Sequence, residues 1–231
     1  MFVGHYAVSY AGKSLAQPIP LWHLFIAVQF LDVLWGLFVF LGIERVRIVP
    51  GITAASPLDL YHVPYTHSLV GALFWSMAGG AAYHVWRGRR AGSRAGVIIG
   101  TAVFSHWVLD LLVHRPDLPL VGNRFKMGFG LWNFPAVALA LEATVLFGGL
   151  LLYLRATRRA APSGTFASIL FGIGLVLIQA LIFFGPPPGS PSALAATGLV
   201  AYGALAGVAA WLERKRAPAA EPAGVPAGFR G

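Results

Sequence analysis

Long apolar runs separated by short basic segments dominate this sequence and limit what it can fold into. Several of these runs exceed the roughly 18 residues that can cross a bilayer as a helix. Hydrophobic residues make up 57% of the 231 residues and charged residues only 11%, against about 25% charged in a typical soluble domain. These features exclude a soluble globular fold and predict a helical bundle embedded in a membrane.

The apolar pattern predicts an all-α fold, a polytopic bundle of about six membrane spans that follows a short N-terminal helix at residues 2–15. Pro18 and Pro20 end that first helix. We assign residues 1–212 to a single transmembrane domain and the Pro/Ala/Gly-rich residues 213–231 to a disordered tail. The predicted spans are residues 19–43, 67–86, 96–114, 128–154, 165–185 and 193–212.

The distribution of basic residues predicts the orientation of the bundle. A net charge of +9 would suggest nucleic acid as the partner of a soluble protein. Here the arginines lie between apolar runs, so we expect membrane lipids and no nucleic acid. The loops after the second and fourth spans and the C-terminal tail hold eleven Lys and Arg residues, and the other interhelical loops hold five. The positive-inside rule then places the C-terminus in the cytoplasm. We expect a multi-pass protein of the inner (plasma) membrane.

Ionisable residues inside predicted spans are costly and usually mark function. The third span contains His106-x-x-x-Asp110-x-x-x-His114, and this spacing places the three side chains on one helical stripe. An imidazole nitrogen and a carboxylate oxygen in that arrangement can bind one divalent metal. The same groups can instead form a hydrogen bond that joins helices within the membrane, and the motif alone leaves both interpretations open.

A second polar motif, Tyr65-Thr66-His67-Ser68, opens the second span. The positive end of the helix dipole disfavours an imidazolium at His67, and the neutral imidazole is the form that binds metals. The alternative is an interfacial histidine held by Thr66 or Ser68.

A third polar pair arises if residues 2–15 and 19–43 form a helical hairpin that turns at Pro18 and Pro20. His5 precedes that turn by about as many residues as Asp32 follows it. At about 1.5 Å per residue, both side chains then lie at one height in the membrane. Asp110 and His67 fall toward the same outer half of the bundle.

The order of these motifs resembles a family of bacterial inner-membrane proteins described as predicted membrane-bound metal-dependent hydrolases. GHYAV, an acidic residue in the next helix, YTHS and HWVLD carry the resemblance, which covers about residues 1–135. The acidic motif of the family is usually richer than LDVLW, so the resemblance implies one or two metal ions at most. The order is also similar to part of the zinc-dependent phospholipase C pattern, without its HxxxE. The metal ligands that the resemblance implies are His5, Asp32, His67, His106 and Asp110.

The function that we expect is a membrane-embedded, metal-dependent hydrolase. Zinc is the expected metal, with manganese as the alternative, and Asp110 or Asp32 is the candidate catalytic base. The substrate would be an ester or phosphoester, lipid-like because the site lies in the bilayer. Two other functions fit the same residues: a small transporter that uses the His/Asp cluster, and a non-catalytic membrane scaffold.

Three further residues have two interpretations each. Asp117 either closes the site or caps a turn after Pro116. Glu142 either pairs with a basic group or acts as a general base. Trp132 either lines a pocket or anchors the chain at the membrane interface.

Overall fold

The computed structural model describes residues 1–159 and 163–218. Helix dominates these residues, which confirms the prediction of a mostly helical fold. Two short 3-10 turns, Val3–His5 and Leu131–Asn133, accompany the longer helices. The eight α-helices of the described residues are α1 (Tyr6–Leu15), α2 (Leu21–Val28), α3 (Phe30–Phe40), α4 (Leu69–Ala91), α5 (Ala95–Val113), α6 (Pro135–Ala156), α7 (Ser163–Phe184) and α8 (Pro191–Glu213).

Two small antiparallel sheets depart from the all-α prediction. Strand β1 (Arg45–Ile48) pairs with β2 (Leu58–His62) in a segment that the sequence predicts to be a loop. The alternation of polar and apolar residues in β1 suits a half-buried strand, and Arg47 lies opposite Asp59, whose Oδ2 is 2.6 Å from the Arg47 Nη2. The second sheet joins β3 (Thr157–Arg159) to β4 (Arg216–Pro218).

Four of the described helices, α5 to α8, are long and apolar enough to cross a membrane. Helices α2 and α3 reach that standard only as a pair, which is bent by 53°. Helix α4 is as long as these four helices but is not among those apolar enough to cross a membrane. The predicted number of six spans therefore stays a prediction.

The bend between α2 and α3 corrects the prediction of one continuous helix over residues 19–43. It lies at Gln29, where the helical hydrogen-bond pattern tightens and the Gln29 N–H donates to the carbonyl of Ile26 at 3.2 Å. The buried Gln29 side chain donates through Nε2 to the carbonyl of Phe2, also at 3.2 Å. The break places Asp32 in the first turn of a new helix.

Close helix packing depends on glycines at two contacts. Helices α4 and α5 form an antiparallel hairpin, in which a Cβ added to Gly80 would lie 2.6 Å from the Gly96 carbonyl oxygen. At Gly149 of α6, a Cβ would overlap the backbone of Ala7 in α1. Small residues let these backbones approach closely, and the second contact fixes the N-terminal segment that carries His5.

The first residues of the predicted disordered tail have regular structure. Helix α8 ends at Glu213, which forms an ion pair with Lys13, and β4 continues the ordered chain to Pro218. Residues 219–231 lie outside the described residues, and the tail prediction stands untested there.

Candidate metal centre

The structure brings the five predicted site residues into one buried cluster. His5 lies in the N-terminal 3-10 turn, Asp32 at the start of α3, and His67 directly before Ser68, which caps α4. His106 and Asp110 lie one turn apart on α5. Three separate hydrophobic runs and the N-terminus therefore converge on one point inside the helical bundle.

Two carboxylates form the centre of this cluster. Asp110 Oδ1 lies 3.2 Å from His5 Nε2, and its Oδ2 lies 3.2 Å from His106 Nε2 and 3.8 Å from His67 Nε2. Asp32 Oδ1 lies 3.2 Å from His67 Nε2 and 3.5 Å from His106 Nε2. The Nε2 atoms of His67 and His106 thus face both carboxylates, and that of His5 faces Asp110.

A contact of His106 on the side away from the carboxylates fixes the tautomer of its ring. His106 Nδ1 lies 2.7 Å from the backbone carbonyl of Val28, which can only accept a hydrogen bond. Nδ1 therefore carries the proton, and in the neutral ring the Nε2 lone pair points at the carboxylates. This arrangement, in which one ring nitrogen donates to a fixed oxygen, is typical of metal-ligating histidines.

His67 is held in the same way through Thr66 and Glu44. Thr66 Oγ1 lies 2.5 Å from Glu44 Oε2 and 2.8 Å from His67 Nδ1. Because the hydroxyl has one proton to give to the carboxylate, it accepts from His67 Nδ1–H. Glu44 Oε1 also accepts the backbone N–H groups of Tyr65 and Thr66, at 2.8 and 2.9 Å.

A fourth histidine, His114, joins the cluster, although it was not among the predicted ligands. Its Nε2 lies 3.6 Å from Asp110 Oδ2, and its Nδ1 lies 3.0 Å from Asp117 Oδ1. The spacing of four in the sequence was the signal for it. The single-stripe prediction is wrong in detail, because α5 ends at Val113 and His114 has extended backbone.

Asp117 and Glu142 support the cluster from outside. Asp117 is buried and holds His114, and its Oδ2 also lies 3.3 Å from Arg115 Nε. Glu142 accepts the backbone N–H groups of Phe2 and Gly4 at 3.0 and 3.1 Å instead of pairing with a basic side chain. It thereby anchors the segment that contains His5.

Two other contacts complete the surroundings of the carboxylates. Tyr202 of α8 donates its hydroxyl hydrogen bond to Asp32 Oδ2 at 2.8 Å, and the Met1 amino nitrogen contacts Asp110 Oδ1. Tyr202 lies 170 residues after Asp32 in the chain, and no local pattern marks it.

Several nitrogens of the cluster have no hydrogen bond among the described residues. These are both ring nitrogens of His5 and the Nε2 of His106, all of them buried. The rings of His5 and His106 stack with centroids 4.0 Å apart. The Nε2 atoms of His5 and His106 lie 3.2 Å from Asp110 oxygens without forming a hydrogen bond. A cation bound between these imidazoles and the carboxylates would satisfy both sides.

The donor atoms lie at spacings that suit a metal ion. His5, His106 and Asp110 form one group, and Asp32, His67 and His106 form another; within each group the possible ligand atoms lie within 4.8 Å of one another. Imidazole nitrogens and carboxylate oxygens are the ligand types that zinc takes in catalytic sites. The two groups share His106, so the residues present fit a compact centre better than two independent ones.

A cavity of about 690 Å³ adjoins the cluster. Asp32, His67, Asp110 and His114 line one part of it. The rest is lined mainly by the loop at residues 50–58, the C-terminal end of α7, the turn at residues 186–189 and the N-terminal half of α8. Trp132 also lines this cavity, in agreement with one of its two predicted roles.

Comparison with known proteins gives no relative for this chain: no protein-family model, curated protein or solved structure matches it.

Proposed function

We propose that this protein is an integral membrane, metal-dependent hydrolase whose metal centre is the His/Asp cluster. One observation carries the proposal most strongly. Three histidines, His67, His106 and His114, each have Nδ1 against an oxygen atom and Nε2 directed at Asp110. Helix-joining hydrogen bonds alone do not require all three rings to share this orientation.

The proposed ligands are His5, Asp32, His67, His106 and Asp110, with zinc as the metal and manganese as the alternative. The mixed nitrogen and carboxylate donor set favours zinc, because manganese prefers a shell richer in oxygen. A bound divalent ion would supply Lewis acidity toward an ester or phosphoryl oxygen and would acidify water.

The residues of the chain would orient the reactants and move the proton. One of these two carboxylates, Asp32 or Asp110, would serve as the base rather than as a ligand and would accept the proton of the attacking water. Tyr202 holds Asp32 through its second carboxylate oxygen, leaving Oδ1 directed at His67 and His106. His67, His106 and Asp110 are buried, and burial strengthens the electrostatic interactions among them.

The surroundings of the site belong to the same proposal. We place the chain in the inner membrane with about six spans, α4 and the bent pair α2–α3 among them, and with the C-terminus in the cytoplasm. The distribution of basic residues and the resemblance to predicted membrane-bound metal-dependent hydrolases support this arrangement. The substrate would be an ester or phosphoester that reaches the site from the lipid phase.

Hydrolysis assays on zinc-loaded protein in nanodiscs test the catalytic part of the proposal. The wild type should release p-nitrophenol from a long-chain p-nitrophenyl ester or phosphate, and His106→Ala should abolish the release. His84→Ala changes an exposed histidine near the other end of α4 and should keep full activity. Equal rates in the wild type and His106→Ala would refute hydrolysis at this cluster.

A second function, ion or proton transport, is favoured by one specific observation. A chain of ion pairs runs from the exposed Arg47 through Asp59, Arg115 and Asp117 to His114 beside Asp110. Charged groups arranged in this way can guide an ion between water and the buried cluster, although the arginines do not pass on a proton. Proton or zinc flux into proteoliposomes that Asp117→Asn abolishes would favour transport, whereas hydrolysis without flux would count against it.

A further inference from the structure

Two tryptophans beside the cluster have indole N–H groups without partners. Trp35 and Trp132 are each 7% exposed, and among the described residues neither Nε1 atom has a hydrogen bond. Trp35 packs edge-on against His67 with ring centroids 6.2 Å apart, and Trp132 packs on His114 at 4.1 Å. Both tryptophans also line the cavity that adjoins the carboxylates.

Two other tryptophans of the chain have a hydrogen-bond acceptor for the indole N–H. Trp107 Nε1 donates to the backbone carbonyl of His67 at 2.9 Å, and Trp75 Nε1 donates to that of Tyr65 at 3.0 Å. Buried indoles normally find such a partner, and a buried donor without one destabilises the fold by about 1–3 kcal/mol. Protein atoms cover both Nε1 atoms in this structure. Two unsatisfied donors beside one centre therefore point to an acceptor that arrives with a ligand and turns each indole toward it.

The cavity walls indicate what else that ligand carries. Away from the cluster, the cavity is lined by apolar side chains of α7 and α8, among them Ile178, Phe183 and Leu194. Its volume, about 690 Å³, lies within the usual range for small-molecule sites. An apolar cavity whose other end holds the proposed metal centre and two indole donors suits a molecule with an anionic head and one apolar chain.

We propose that this cavity binds a single-chain phosphomonoester, with its phosphoryl oxygens at the indole N–H groups of Trp35 and Trp132 and its apolar chain between α7 and α8. A phosphoryl group presents three terminal oxygens, enough for the metal centre and both indoles, whereas an ester carbonyl presents one. This inference rests on the proposed metal centre and names its substrate class and two residues that bind the head. Donors fixed in this way also stabilise the charge that develops during phosphoryl transfer.

Binding of three probes to zinc-loaded protein in phosphatidylcholine nanodiscs tests the inference. Dodecylphosphonate carries the head and the chain but no hydrolysable ester, methylphosphonate carries the head alone, and dodecanol carries the chain alone. Equilibrium dialysis of labelled probes, with empty nanodiscs subtracted, should give at least about tenfold tighter binding of dodecylphosphonate than of either fragment. Equal affinity for dodecylphosphonate and dodecanol would overturn the proposal.

Replacing each indole by a ring without a donor separates binding from packing. Trp35→Phe and Trp132→Phe should each weaken the binding of dodecylphosphonate by about tenfold and leave the binding of dodecanol unchanged. Trp86→Phe, at a tryptophan that is 65% exposed and does not line the cavity, is the matched control. If the two cavity variants lose equal affinity for both probes, the indoles only pack against the histidines, and their assignment to the phosphoryl head is wrong.

Filling the cavity with a larger side chain tests where the apolar chain of the ligand binds. Thr197 of α8 lines the cavity and is exposed, so Thr197→Trp should fold. The added side chain should weaken the binding of dodecylphosphonate but not that of methylphosphonate. Val200→Trp lies on the same helix, 73% exposed and outside the cavity lining, and should bind like the wild type. If Thr197→Trp binds dodecylphosphonate like the wild type, the alkyl chain of the probe lies elsewhere and the proposal is overturned.

Zinc content measured on the same samples distinguishes the two levels of the proposal. Bound zinc with no preference for dodecylphosphonate would overturn the substrate assignment alone and leave the metal centre intact. Absence of both zinc and manganese from the wild type, after incubation with each metal, would overturn both.

Discussion

The imidazole rings of His5 and His106 stack almost parallel, with planes 9° apart and centroids separated by 4.0 Å. One ring comes from the N-terminal turn and the other from the middle of α5. His5 reaches this position because Glu142 holds the backbone around it and because α1 packs tightly against α6. The geometry of the centre therefore depends on residues that have no part in its chemistry.

The contact between α1 and α6 gives a prediction about packing. Gly149→Ala should lower the free energy of unfolding by about 1–3 kcal/mol, because its Cβ would overlap the backbone of Ala7. The displaced helix carries His5, so zinc binding should weaken as well. Thermal unfolding of the solubilised protein, with zinc titration, measures both effects.

The adjacent glycine is the control for this packing prediction. A Cβ at Gly148 meets no atom within 4 Å, so Gly148→Ala should keep wild-type stability and metal affinity. Similar behaviour of the two variants would show that the close approach of α1 and α6 does not position His5.

Glu142 gives a prediction about the N-terminal anchor. Glu142→Ala leaves the buried N–H groups of Phe2 and Gly4 without an acceptor, at about 1–3 kcal/mol for each donor. Glu142→Gln keeps one carbonyl oxygen in place and should retain most of the stability. Hydrogen exchange at residues 2–5 should rise in the alanine variant and stay close to the wild type in the glutamine variant; equal exchange in all three would rule out the anchor.

Thr66 gives a prediction about ligand orientation. Thr66→Val removes the hydroxyl that accepts from His67 Nδ1 and donates to Glu44. Loss of such a partner typically lowers metal affinity roughly 10- to 100-fold. Thr66→Ser keeps the hydroxyl and should bind zinc like the wild type. Competition with a zinc chelator measures the difference, and equal affinity of the valine and serine variants would contradict the orienting role.

Much of the cluster was predictable because its signals are local. The spacing of four between His106 and Asp110 sets their common face on any helix. His5, Asp32 and His67 were predicted as site residues from the order of the motifs and from the family resemblance that this order carries. The structure places all five within one buried cluster.

The contacts that support the cluster were not predictable, because they join distant parts of the chain. Tyr202 reaches Asp32 from α8, and Glu142 reaches Phe2 from α6. The bend at Gln29 also lacks a local signal, since neither proline nor glycine adjoins it and its side chain bonds to the N-terminal segment. The strand β1 could have been recognised from its alternating pattern, which a loop interpretation overlooked.

The most direct test of the central claim is the metal content of the protein, purified in detergent and analysed by inductively coupled plasma mass spectrometry. The wild type and the exposed-histidine control His84→Ala should retain about one or two zinc or manganese ions per chain, as the donor set implies. A His67/His106/Asp110 triple alanine variant, with its fold checked by circular dichroism, should retain none. No metal in the wild type after reconstitution, or equal metal in the triple variant, would contradict the metal centre and the function built on it.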